Sequence, residues 1–163
     1  MKYIVVYEQT PNNWGAYVPD LPGCVATGKT REKVRRLIKE GIGYHIEITQ
    51  EYNELVPQPG TWAEEIEVDV PVRDGTGSGE PKTLVQFVVV YEQGPTSWGA
   101  PVPDLPGCVA AADTRDEVRQ LIKEAIEFHL EGMHEDNDPI PPPGYWAEAL
   151  EVKVSDPQTV RSE

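Results

Sequence analysis

Carboxylates recur in matched positions along this 163-residue chain: Glu8 with Glu92, Glu40 with Glu124, and Glu64 with Glu148. Several such groups could hold two divalent metals roughly 3.5–4 Å apart for phosphodiester hydrolysis, provided that they converge. Glu8 is expected at a strand end and Glu40 on the exposed side of a helix, so convergence is not indicated. His45 and His129 also match. Each lies eleven residues after a helical valine (Val34, Val118), which puts it on an apolar helix stripe as a packed residue rather than a base or ligand. The third histidine, His134, has Gln50 as its counterpart and is expected in a loop. With no metal-ligand set, nucleophile–base pair or phosphate-cradling glycine loop in view, neither catalysis nor a metal nor a cofactor is expected.

The matched residues belong to an internal repeat. When residues 3–70 are laid over 87–154, 40 of 68 positions are identical, including Pro19-Asp20-Leu21-Pro22-Gly23-Cys24, which returns as Pro103 to Cys108. The expected organisation is a first repeat over 1–70, a flexible linker over 71–83, a second repeat over 84–154 and a disordered tail over 155–163. A unit of about 70 residues buries only about 60% of its unfolded surface. The two units are therefore expected to support each other as an internal pseudo-dimer.

Both repeats read in the same order. Residues 2–8 and 84–92 are β-branched and aromatic runs, hence strands. Trp14 to Val18 reads as a second strand after a turn, and Cys24 to Thr27 as a short third one. Between them the Pro-Asp-Leu-Pro-Gly segment breaks regular structure. Val34, Leu37, Ile38, Ile42 and Ile46 then follow a helical period, repeated by Val118, Leu121, Ile122, Ile126 and Leu130. Thr114 with Glu117 forms a capping box, and Thr30 caps the first helix without that glutamate. Proline-rich turns lead to last strands beginning at Trp62 and Trp146, where apolar and acidic residues alternate in Glu65 to Val70. The fold expected is α+β, two tandem β-β-β-α-β units, each a small antiparallel sheet under one helix.

The net charge is −14. Phosphate binding depends on Lys and Arg displacing counterions, so direct nucleic-acid binding is not expected of an acidic chain, while attraction to a basic partner is. No apolar run is long enough to span a membrane, and the N-terminal segment reads as a strand rather than a signal peptide. One cysteine per repeat, Cys24 and Cys108, fits small buried residues in a reducing compartment, with a cross-repeat disulfide or a reactive thiol as the alternatives. A cytoplasmic location is expected.

The combination of a strand ending in Tyr-Glu, Trp-Gly-Ala, Val-Pro-Asp-Leu-Pro-Gly-Cys and Thr-Arg-Glu before an apolar helix resembles the HicB antitoxin family. His129-Leu130-Glu131-Gly132 followed by Pro139-Ile140-Pro141-Pro142-Pro143 agrees with that family's helix end and proline turn. The resemblance implies a partial ribonuclease-H-like fold, usually dimeric, that neutralises HicA, a small basic mRNA-cleaving toxin with a catalytic histidine. Autoregulating members carry a C-terminal DNA-reading domain; here only nine residues follow Val154.

Seven residues stand out as partner-binding candidates on this reading: Tyr17, Asp20, Leu21, Glu64, Asp104, Leu105 and Glu148. Asp20 and Asp104 either present an acidic contact or bond the backbone of their own turn. Tyr17 is replaced by Pro101 in the second repeat, which removes a ladder donor and suggests a strand edge there. Trp14, Trp98, Trp62 and Trp146 are candidates for packing between the repeats. The function expected is a non-enzymatic antitoxin module that covers a HicA-like toxin. The alternatives are an orphan interaction module of the same ancestry and a metal-dependent nuclease. Unpaired strand edges leave further homo-oligomerisation open.

Overall fold

The computed structural model describes residues 1–71 and 82–153. The elements run β1 (Lys2–Gln9), β2 (Trp14–Tyr17), β3 (Val25–Gly28), α1 (Arg31–Glu51), β4 (Trp62–Pro71), β5 (Lys82–Gln93), β6 (Trp98–Pro101), β7 (Val109–Ala112), α2 (Arg115–Glu135) and β8 (Tyr145–Glu151). Each half thus follows the expected β-β-β-α-β order. Residues 72–81 of the expected linker and the expected tail lie outside the described residues; Pro71, Lys82 and Thr83 extend the strands instead.

The compact units do not coincide with the sequence repeats. Unit 1 comprises Met1–Thr61 and the chain from Trp146 onward, and unit 2 comprises Trp62–Tyr145. The sheets show why: one has the order β3-β2-β1-β8, the other β4-β5-β6-β7. Each unit therefore takes its outer strand next to the long central strand from the other repeat. β4 pairs antiparallel with β5 from Trp62↔Tyr91 to Pro71↔Lys82. In unit 1, the Met1 and Val152 backbones exchange hydrogen bonds of 3.0 and 2.8 Å while Trp146 lies on Tyr7, so β1 and β8 also run antiparallel.

The alternation read in the sequence selects the buried face. Tyr3, Val5 and Tyr7 of β1 meet Val34, Ile38, Ile42 and Ile46 of α1, and Leu150 of β8 with Val152 just after it closes that core. In unit 2, Ile66, Val68 and Val70 of β4 join Phe87, Val89 and Tyr91 under Val118, Ile122, Ile126 and Leu130. Thr30 accepts from the Lys33 N–H at the start of α1, and Thr114 with Glu117 completes the capping box of α2. Both helices end at an asparagine in the left-handed region, Asn53 (φ 56°) and Asn137 (φ 63°), a residue type that tolerates it. His134 lies in the last turn of α2, not in a loop: the second helix keeps its hydrogen bonding to Asp136. Pro101 ends β6, which is an inner strand rather than an edge. The missing N–H shows instead in the pairing, since β5 and β6 match at two positions where β1 and β2 match at four.

Candidate partner-binding surface

The Pro-Asp-Leu-Pro-Gly loops are fixed from inside. In unit 1 the N–H groups of Leu21 and Cys24 donate to Val18 and Leu21 carbonyls, and Gly23 takes φ 85°, which a side chain would strain. Leu21 and Leu105 are core residues, 0% and 1% exposed. The Asp20 carboxylate accepts from the Gly60 N–H (3.2 Å), the Thr61 N–H (3.1 Å) and the Thr61 hydroxyl (2.9 Å). Asp104, buried, accepts from the Gly144 N–H at 2.8 Å. These aspartates therefore clamp the proline-rich turn just before the chain crosses into the other unit. The Tyr3 hydroxyl holds the same turn by donating to the Pro57 carbonyl at 2.7 Å.

Beside each clamp a cluster of aromatic rings, arginines and one glutamate secures the exchanged strand. In unit 1, Trp146 stacks on Tyr7 at 4.1 Å between ring centroids, meets Trp14 edge-on, and lies under the Arg31 guanidinium. Glu148, two residues on, accepts from the Tyr7 hydroxyl (2.8 Å) and from Arg35 Nε (2.7 Å). Unit 2 repeats the set: Trp62 stacks on Tyr91 at 4.2 Å under Arg115, and Glu64 accepts from Tyr91 and Arg119. Burial first, and then the bond to the carboxylate, push both tyrosine hydroxyls well above their usual pKa. Glu64 and Glu148 are thus tied into the protein at this surface. Tyr7, Arg31 and Arg35 and their counterparts were not singled out from sequence; their identity in both repeats was the available signal. Trp98 packs at the margin of the unit 2 core.

Other paired residues stay apart. Glu8 is half-buried on β1 while Glu40 and Glu124 are exposed on helices. Among the described residues no group of three or more His, Cys, Asp or Glu side chains could hold a metal. Cys24 and Cys108 are buried free thiols in separate units, and burial pushes both thiols up in pKa. Among the described residues no helix is long and apolar enough to cross a membrane.

What distinguishes the two units is charge. Residues 1–61 with 146–163 carry nine Lys and Arg against eleven Asp and Glu, a net −2; residues 62–145 carry five against seventeen, a net −12. The exchange sharpens the contrast. On the face of β4 opposite the core stand Glu65, Glu67 and Asp69, all exposed, whereas Ala149, Glu151 and Lys153 occupy those places in the second repeat. β4 is also an edge strand. A groove of about 490 Å³ runs between it and α2, lined by Glu64 to Glu67 and by Asp116, Arg119, Gln120 and Lys123. A second, of about 510 Å³, shares Glu67 and Lys123 and continues past Asp69, Glu127 and Glu131 to His134. Tyr17 is exposed on β2 of unit 1.

Comparison with known proteins places this architecture. The chain is 42% identical over 69 residues to UPF0150 protein Ta0767 of Thermoplasma acidophilum, covering 42% of this chain and 97% of that protein. It is 55% identical over 40 residues to an uncharacterized 14.9 kDa protein of Haemophilus phage HP1, 24% of this chain and 30% of the phage protein. It is 31% identical over 72 residues to Antitoxin HicB 2 of Photorhabdus laumondii, 44% of this chain and 52% of the antitoxin. The chain thus spans under a third of the phage protein and about half of that antitoxin. A chain of a HicA3 and HicB3 toxin-antitoxin complex is similar at 27% identity and a TM-score of 0.33, over 36% of this chain and 69% of the other. The model of the HicB_like antitoxin of bacterial toxin-antitoxin systems matches twice, at residues 3–70 and 87–158, and the chain belongs to that family as a tandem duplication.

Proposed function

We propose that the protein is a non-enzymatic antitoxin module that binds a small basic HicA-type toxin and covers its RNA-binding face and catalytic histidine. The observation that carries this reading, beside membership of the family, is the concentration of a net −12 in unit 2, with an acidic edge strand along an open groove. An edge strand offers unpaired backbone groups to an added strand, and alternate side chains then set specificity. Glu65, Glu67 and Asp69 supply the attraction that steers a basic partner to that edge. Asp20, Asp104, Leu21 and Leu105 hold the loops and turns in place, Glu64 and Glu148 anchor the strands, and Tyr17 remains a contact on unit 1. In this reading the inhibition is steric and needs no chemistry from the antitoxin.

The test is capture from the host's lysate with the tagged protein in moderate salt, followed by mass spectrometry. One small basic protein with mRNA-cleaving activity should be retained, and Glu65→Lys with Glu67→Lys should lower its recovery at least tenfold. Recovery of some other protein, with no such toxin, would make this an orphan interaction module.

A further inference from the structure

The low net charge of unit 1 conceals a local reversal. Residues 29–40 hold six cations, Lys29, Arg31, Lys33, Arg35, Arg36 and Lys39, against two carboxylates. The equivalent residues 113–124 hold three cations against four carboxylates. One stretch of one fold is therefore +4 in the first repeat and −1 in the second. The difference lies at three positions: Lys29, Lys33 and Arg36 are replaced by Asp113, Glu117 and Gln120.

The structure leaves these three side chains exposed at the start of α1. Val34, Ile38, Ile42 and Ile46 define its buried stripe, Lys33 and Arg36 fall opposite it, and Lys29 immediately precedes the N-cap Thr30, all three exposed. Lys33 and Arg36 lie about one helical turn apart, about 5 Å along the axis, and Lys29 stands just before the first turn. Arg31 is held over Trp146 and Arg35 by Glu148, whereas Lys29, Lys33, Arg36 and Lys39 have no side-chain partner among the described residues. The row begins at the N-terminal end of the helix, where the backbone dipole adds positive potential.

We infer that this row is a binding site for the phosphodiester backbone of a nucleic acid. A protein interface needs an apolar or aromatic centre and is depleted in lysine. This strip is lysine-rich, and its Leu37 is half-buried. Point charges one turn apart suit phosphates, and they position a chain without reading its bases. The overall −14 does not argue against this, because unit 2 holds −12 of it. The inference does not rest on the antitoxin reading.

The test is fluorescence anisotropy with the full chain and a labelled 20-base-pair DNA or 20-nucleotide RNA across a salt series, the stronger ligand showing which nucleic acid is used. The triple variant Lys29→Asp, Lys33→Glu, Arg36→Gln imports the second repeat's own residues. Its folding is safeguarded because Lys33→Glu supplies the capping-box glutamate that Thr30 lacks, and its melting curve should match the parent. Three phosphate contacts predict a log–log salt slope of about −2.7 on duplex, or about 40-fold weaker binding between roughly 50 and 200 mM salt. The variant should lose at least 20-fold at the lower salt. No binding by the parent at that salt, or undiminished binding by the variant, would overturn the site. Equal displacement by a poly-glutamate peptide of the same charge would mean an acidic protein ligand and sink the phosphate reading.

Discussion

Trp146 and Glu148 stand two residues apart on one strand, and between them they hold a tyrosine and two arginines of the other sequence repeat. Stacking and a buried hydroxyl–carboxylate bond each contribute about 1 kcal/mol. The exposed arginine pairs add little beyond orientation. The tyrosines give the cluster a pH signature. Their pKa is raised in the fold above the ordinary 10.0 by burial and by the neighbouring glutamate. A group that holds its proton more tightly when folded contributes stability in full below its unfolded pKa, and that contribution is lost as the pH rises beyond it. Denaturant midpoints should therefore fall steeply above about pH 10. Tyr7→Phe and Tyr91→Phe should flatten that fall while costing about 1 kcal/mol at neutral pH. An alkaline limb unchanged in the double variant would remove these two hydroxyls from the explanation.

At the level of elements, the strands, both helices and their caps were legible because each rests on local signals: a period of two or 3.6, a threonine before a charged turn, a proline pair. The partner of each last strand was not. Trp62 to Val70 and Trp146 to Val154 carry the same pattern, and β1 and β5 are near-copies, so either strand satisfies either sheet. Local sequence cannot separate two registers that bury equivalent residues. The same degeneracy hid the role of Asp20 and Asp104, whose turn-forming and acidic features were both visible while their clamp on a distant turn was not. The exchange makes a distinctive prediction. Ending the chain after Gly144 removes Trp146, Leu150 and Val152 from the core of unit 1. Losing large core side chains costs about 2–5 kcal/mol each, enough to unfold a marginal unit. Hydrogen-exchange protection should vanish from residues 1–61 and persist in 84–143. Loss from 84–143 instead would mean that each repeat keeps its own last strand.

For the whole molecule, duplication followed by divergence has produced two units of one fold with different charge, −2 and −12. Net charge read along the chain did not show where the acidity lies, because β4, the most acidic strand, is drawn into the unit that is already acidic. Long-range steering scales with that local field and weakens with salt. A basic toxin should accordingly bind more slowly as ionic strength rises, with the loss mainly in the association rate. The most direct measurement is mRNA cleavage by the cognate HicA-type toxin titrated with this protein. Cleavage should stop near stoichiometric equivalence, and Glu65→Lys with Glu67→Lys should raise the amount required by at least tenfold while Lys29→Asp with Lys33→Glu leaves it unchanged. Cleavage continuing at its full rate in an excess of the protein would contradict the antitoxin function itself.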